Sequence, residues 1–247
     1  MASRKLPEWM CNSKEKGTSE IETSRPSQLL KFTGRIIFIK DGDEAGLNHE
    51  LGLLIKRIET FHEEVGEKFA VGFDIEWPVD LKRRFFGKVS LMQICPDESL
   101  CYIIQLGSYE VLPEIIQTFM SLRSVILVGN CIRNDVWKIG RDFQLSLINV
   151  VSKNVRDLGV YANTVISPPQ TWSLQNLVQY CLKKDLDKTE EVRLSDWGKS
   201  LTKQQTLYAA TDAYASLLVY KHLKQLETKN LEILARATMK KATVDRS

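Results

Sequence analysis

The 247 residues suffice for one sizeable α/β domain with tails, and 43% hydrophobic with 26% charged residues is the balance of a soluble globular protein. A net charge of +3 is too small to argue for a nucleic-acid partner by itself. Five cysteines without Cys-x-x-Cys spacing (Cys11, Cys95, Cys101, Cys131, Cys181) argue against a zinc site and fit a reduced intracellular protein, and the three histidines (His49, His62, His222) lie away from the acidic motifs, against a Ser-His-Asp triad. No apolar run approaches the ~20 residues of a membrane span, and the N-terminus lacks the apolar core of a signal peptide.

Residues 1–27 are polar, broken by Pro7 and Pro26, and read as a disordered tail. Arg35 to Ile39 is an opening strand. Leu47, Leu51, Leu54, Ile58 and Phe61 recur at helical spacing and predict a helix over 46–64. A buried strand follows from Phe69 towards Asp74, then strands near 88–95 and 100–106. Val111, Leu112, Ile115, Ile116 and Phe119 mark a helix. A strand over 124–129 leads to a helix beginning near Asp135. Ser173 caps a helix with Leu174, Leu177, Val178, Cys181 and Leu182 on one face. Thr202 and Gln205 form a capping box for a last helix, kept slim by Ala209, Ala210, Ala213 and Ala215 so that its backbone can approach the sheet. Beyond about 224 the chain is helical and ends in a polar tail.

Chemistry concentrates in three of these segments. Asp74 and Glu76, two apart on a strand, share one face. Tyr208 and Asp212, four apart on a helix, share another. Asp135 sits where a strand passes into a helix, the kind of strand end at which open α/β sheets bind ligands. Each motif alone has a plainer reading: an ordinary acidic strand end, a packing pair, and a helix N-cap next to Asn134. Each carboxylate nevertheless lies at the edge of an apolar run, where its charge is costly unless compensated. A shared pair of divalent cations accounts for all of them. Directly after Glu76 come Lys82, Arg83, Arg84 and Lys88 with Phe85 and Phe86 between them. These read either as a solvated loop or as a basic, aromatic-bearing loop suited to phosphates and a frayed base.

The segments Phe73-Asp74-Ile75-Glu76-Trp77-Pro78, Asn130 to Asp135, Ser195-Asp196-Trp197 and Leu207 to Tyr214, together with Leu30 to Gly34 and Trp172-Ser173-Leu174, resemble the DEDDy 3′–5′ exonucleases. This family lies within the DnaQ-like, ribonuclease H-like superfamily, and the chain looks most like its Werner-type branch in stand-alone form. The resemblance covers residues 28–224, leaving 225–247 as a helix end and polar tail. It implies a single-domain α/β fold, a ribonuclease H-like mixed sheet of about five strands flanked by helices. It implies that Asp74, Glu76, Asp135 and Asp212 hold two Mg²⁺ or Mn²⁺ ions, that Tyr208 positions the attacking water, and that 5′-mononucleotides are released. DNA 3′ ends in duplex context are the expected substrate, a separate helicase is a candidate partner, and the nucleus is the expected location. Two alternatives stay open at this point: a ribonuclease D-like enzyme trimming RNA 3′ ends, and a nuclease-inactive nucleic-acid-binding scaffold of the same fold.

Overall fold

A computed structural model describes residues 28–80, 82–187 and 189–244; the polar segment read over 1–27 lies outside the described residues. In chain order the elements are β1 (Gln28–Leu29), β2 (Arg35–Ile39), α1 (Glu44–Val65), β3 (Phe69–Glu76), β4 (Val79–Asp80), β5 (Phe85–Phe86), β6 (Leu91–Asp97), β7 (Leu100–Gln105), α2 (Glu114–Ser121), β8 (Val125–Gly129), α3 (Ile132–Asp142), α4 (Ile148–Lys153), β9 (Val155–Asp157), α5 (Leu158–Val165), α6 (Leu174–Leu182), β10 (Lys184–Asp185), α7 (Glu190–Arg193) and α8 (Lys203–Val244). The central sheet runs β2-β7-β6-β3-β8-β9. Only β6 opposes its neighbours: β3 pairs antiparallel with β6 and parallel with β8, and β2–β7 and β8–β9 are parallel. This is the mixed ribonuclease H-like sheet, with six strands where the sequence pattern shows five. The extra strand is β9, whose Val-Arg-Asp holds a single apolar residue and so gives no periodic signal.

Local chemistry sets the element ends. Asp43 caps α1, its Oδ1 accepting from the Gly46 N–H at 2.9 Å, and Gly66 at φ +76 closes the helix. The helix after β7 starts at Glu114, later than its apolar spacing suggests, because Pro113 stands at the N-cap and Val111 is left exposed. Ser173 caps α6 by accepting from Asn176 N–H at 3.1 Å. The capping box of α8 is reciprocal: Thr202 N–H donates to Gln205 Oε1 at 2.9 Å, and Gln205 N–H to Thr202 Oγ1 at 3.1 Å.

The strand alternation of β3 organises the interior. Val71, Phe73 and Ile75 point to one face and are buried with Leu47, Leu51, Leu54 and Ile58 of α1 and Ile116 and Phe119 of α2. Ala70, Gly72, Asp74 and Glu76 take the other face by alternation. There α8 lies across the sheet: Ala209, Ala210, Ala213 and Leu217 pack with Leu91, Cys95, Cys101 and Ile103 of β6 and β7, while Ala215, Val219 and Leu223 pack with Ile126 and Val128 of β8 and with α5 and α6. The approach is very close at Gly72, where a Cβ would stand 1.9 Å from the Ala213 carbonyl oxygen. Small residues on both sides therefore bring the helix backbone onto the sheet beside Asp74. No helix among the described residues is long and apolar enough to cross a membrane, and Cys95, Cys101, Cys131 and Cys181 are free thiols.

Candidate active site

Gly72 and Asp74 share a face of β3, so the contact that seats α8 on Gly72 also carries the helix over the acidic end of the strand. Asp212 lies one residue before Ala213 on that helix. One oxygen from each of Asp74, Glu76 and Asp212 lies within 4.8 Å of the others. Asp135 stands outside this three-residue group but acts electrostatically on Glu76 and is itself acted on by Asp74. It occupies the fourth position of α3. The N-cap of that helix is Cys131, at φ +57, with no side-chain cap bond, so the plainer reading of Asp135 as the cap does not hold. Tyr208 directs its hydroxyl at the Asp212 carboxylate one turn on, and its ring lies 6.1 Å from that of the buried Trp197.

Four carboxylates so placed cannot all ionise at ordinary pH without compensation. Burial pushes the Asp74 carboxyl up to about 6, against one stabilising bond from the Ile75 N–H at 2.9 Å. Burial, then the charges of Asp74, Asp212 and Asp135, hold Glu76 well above the carboxylate range. Asp135 and Asp212 are raised for the same reasons, burial first and Asp74 next. Burial and the neighbouring carboxylates also push the Tyr208 phenol upward, so it remains a protonated donor. The donor set is all hard oxygen, with neither nitrogen nor sulfur among the clustered ligands, which suits Mg²⁺ or Mn²⁺.

Two neighbouring segments frame the cluster. Arg193, at the end of α7, is the cation whose field reaches both Glu76 and Asp212. Its segment is fixed: Trp197 Nε1–H donates to the Arg193 carbonyl at 3.1 Å, and Gln205 Nε2–H donates to Ser195 Oγ at 2.8 Å. Arg193 is hard to find from the sequence, since a four-residue helix of Glu-Glu-Val-Arg looks like solvated charge; the adjoining Ser-Asp-Trp is the available signal. A cleft of about 170 Å³ beside Asp212 is lined by Leu30, Lys31, Asp187, Gln204, Leu207 and Tyr208.

The second segment is the β4–β5 hairpin, which leaves β3 directly after Glu76. Its base is held by Gly87 N–H on the Pro78 carbonyl at 2.8 Å, Lys138 Nζ on the Gly87 carbonyl at 2.8 Å and Val89 N–H on Asp142 Oδ2 at 2.8 Å. Lys82, Arg83 and Arg84 are exposed on it, as are Phe85 and Phe86. Arg83 lies 3.6 Å from Asp80, a solvent-exposed pairing of little strength. Lys88 is placed differently from the other three cations. Its ammonium bonds the Tyr109 and Glu110 carbonyls and lies 4.0 Å over the Phe143 ring, which ties it into the body of the protein.

The fold and the site together define a class: ribonuclease H-like proteins with an acidic cluster at the end of a central strand, here β3, overlain by a helix that carries a tyrosine and an aspartate one turn apart. Comparison with known proteins agrees. A family model described as 3′-5′ exonuclease matches residues 55–227. The mouse (Mus musculus) bifunctional 3′-5′ exonuclease/ATP-dependent helicase WRN is 33% identical over 234 residues, covering 90% of this chain and 16% of the mouse protein. A 3′-5′ exonuclease of Drosophila erecta is 33% identical over 217 residues, 86% of this chain and 59% of the fly protein. The chain thus spans less than two thirds of either relative. Among solved structures, the Nibbler EXO domain of Aedes aegypti shares the fold at a TM-score of 0.61 and 19% identity, over 81% of this chain and 94% of that one. The catalytic core of RRP6 from Trypanosoma brucei shares it at 0.60 and 19%, over 82% and 50%. The chain belongs to the 3′–5′ exonuclease family.

Proposed function

We propose that the protein removes 5′-mononucleotides from the 3′ ends of DNA in a reaction dependent on Mg²⁺ or Mn²⁺. The convergence of Asp74, Glu76 and Asp212 within 4.8 Å carries this reading. Asp74, Glu76 and Asp212, with Asp135, would hold two divalent cations, whose chemistry would be an acidified water and neutralisation of charge on the departing oxygen. The four carboxylates carry a formal charge of 4−, which two such ions balance. Tyr208 orients the attacking water through its hydroxyl; a phenol pushed upward in pKa is a donor, not a base. Arg193, whose charge reaches Glu76 and Asp212, is the cation available to the phosphate at the cluster. Lys82, Arg83 and Arg84 hold the backbone of the strand upstream, and Phe85 and Phe86 offer apolar faces to a frayed base. Lys88 supports the base of that hairpin.

The choice of DNA rests on the resemblance to the Werner-type branch, and so does a nuclear location. The mouse relative unites exonuclease and ATP-dependent helicase, and a helicase is proposed to work beside this domain as well. Digestion of matched DNA and RNA strands, each labelled at the 5′ or 3′ end, with Mg²⁺ or EDTA, tests the proposal. A 5′-labelled DNA ladder shortening one nucleotide at a time, with Mg²⁺ only, is expected. Faster shortening of RNA would reassign the substrate, and cleavage in EDTA would remove the metal from the reaction.

A further inference from the structure

Gln93 of β6 is fully buried, and neither its Nε2 nor its Oε1 has a hydrogen-bond partner. A buried carboxamide left this way is costly, so its presence asks for a reason. Its neighbours are mostly apolar. Leu91 and Cys95 flank it on its own face of β6, and Ile103 stands across from it on β7. On its other side the strand register pairs it with Asp74. Directly opposed residues of antiparallel strands point to the same face with their Cβ atoms about 4.5–5.5 Å apart. Gln93 therefore lies under α8, beside the acidic cluster, with Asp74 as its polar cross-strand neighbour. One Asp74 oxygen already accepts from the Ile75 N–H.

We propose that Gln93 is a positioning residue for the metal ligands: its amide N–H, unpaired here, donates to the Asp74 carboxylate across the strand pair when that carboxylate holds a cation, and so fixes the direction in which the carboxylate meets it. The inference deepens the site reading above and rests on it. A donor to a ligand carboxylate holds it in one orientation, and removal of such partners commonly costs 10- to 100-fold in metal affinity.

Gln93→Met keeps chain length and apolar fit while deleting both unpaired polar atoms, and Gln93→Leu serves as a second variant should Met pack poorly. Mn²⁺ binding is measured by titration calorimetry, and thermal unfolding in EDTA. The expected result splits the two readouts: the unfolding temperature in EDTA stays level or rises, because a buried unpaired amide is gone, while Mn²⁺ affinity falls about 10- to 100-fold. Variants that bind Mn²⁺ like the wild type overturn this inference alone, whatever their stability, since a purely structural glutamine predicts that outcome. A wild-type protein that binds no Mn²⁺ overturns the site reading and this inference with it.

Discussion

The two faces of β3 are built from alternate residues of one strand and do opposite work. On one, Val71, Phe73 and Ile75 are shut away from solvent beneath α1 and α2 and drive folding. On the other, Gly72 is bare so that α8 can touch it, and Asp74 and Glu76 are carboxylates forced together against their own electrostatics. The lesson is that the stabilising face makes the costly one tolerable: a strand pinned so firmly by apolar contacts can hold two acids where a flexible loop would let them separate. The site is thereby preorganised at the expense of stability in the metal-free protein.

The largest expected effect breaks the costly face alone. Asp74→Ala, Glu76→Ala, Asp135→Ala and Asp212→Ala should each reduce exonuclease turnover by roughly 10²–10³-fold or more, the cost of losing one preorganised electrostatic partner, while circular dichroism stays native. Near wild-type turnover at saturating Mg²⁺ in any of them removes that residue from the site; Asp135, outside the three-oxygen group, is the most exposed to that result. Tyr208→Phe keeps the ring against Trp197 and loses only the hydroxyl. Turnover should fall about 10²–10⁴-fold with little change in nucleic-acid affinity. Collapse of affinity with turnover preserved would instead make Tyr208 a stacking residue.

Gly72→Ala tests the hinge between the two faces. The added methyl would meet the Ala213 carbonyl at 1.9 Å, so α8 must shift away; overpacking of this kind costs about 1–3 kcal/mol and should also lower turnover by moving Asp212 off Asp74. Urea unfolding paired with the nuclease assay checks both, and a stable, fully active variant would show that helix contact does not set the site. The smallest effect concerns neither face but the hairpin beyond them. Replacing Lys82, Arg83 and Arg84 together by Ala should weaken DNA binding and shallow the slope of log K against log salt by about one to three units, with turnover at saturating DNA nearly unchanged. Anisotropy across a salt series reads this directly, and an unaltered slope would leave these residues facing bulk solvent.

Much of this site is legible in the sequence because it obeys two periods. A spacing of two on an apolar strand puts Asp74 and Glu76 on one face, a spacing of four on a capped helix does the same for Tyr208 and Asp212, and the alanines of that helix announce its close approach to the sheet. What the sequence hides follows from tertiary context. β9 is too short for periodicity to mark. Lys88 stands in line with the hairpin cations, yet the Tyr109 and Glu110 carbonyls and the Phe143 ring claim it through contacts distant in sequence. Gln93 looks like one polar residue in an apolar strand until the register places it opposite Asp74. Arg193 gains meaning only when the fold brings its charge within reach of Glu76 and Asp212.

The central claim, that the acidic face of β3 destabilises the fold until cations neutralise it, is tested most directly by thermal unfolding of wild type and Asp74→Asn side by side over a range of pH, in EDTA and in Mn²⁺. Burial raises the Asp74 carboxyl from its ordinary 3.8 to about 6, so between those values the folded protein holds a proton that the unfolded chain has released, and stability must fall as pH rises through that window. In EDTA the two proteins should unfold together below about pH 4, the Asn variant should become progressively the more stable between about pH 4 and 6, and the gap should then level off. In Mn²⁺ at neutral pH the order should reverse, because the cation binds the wild-type site more tightly. A wild type that is the more stable at neutral pH in EDTA, or a Mn²⁺ shift equal in both proteins, would contradict the account.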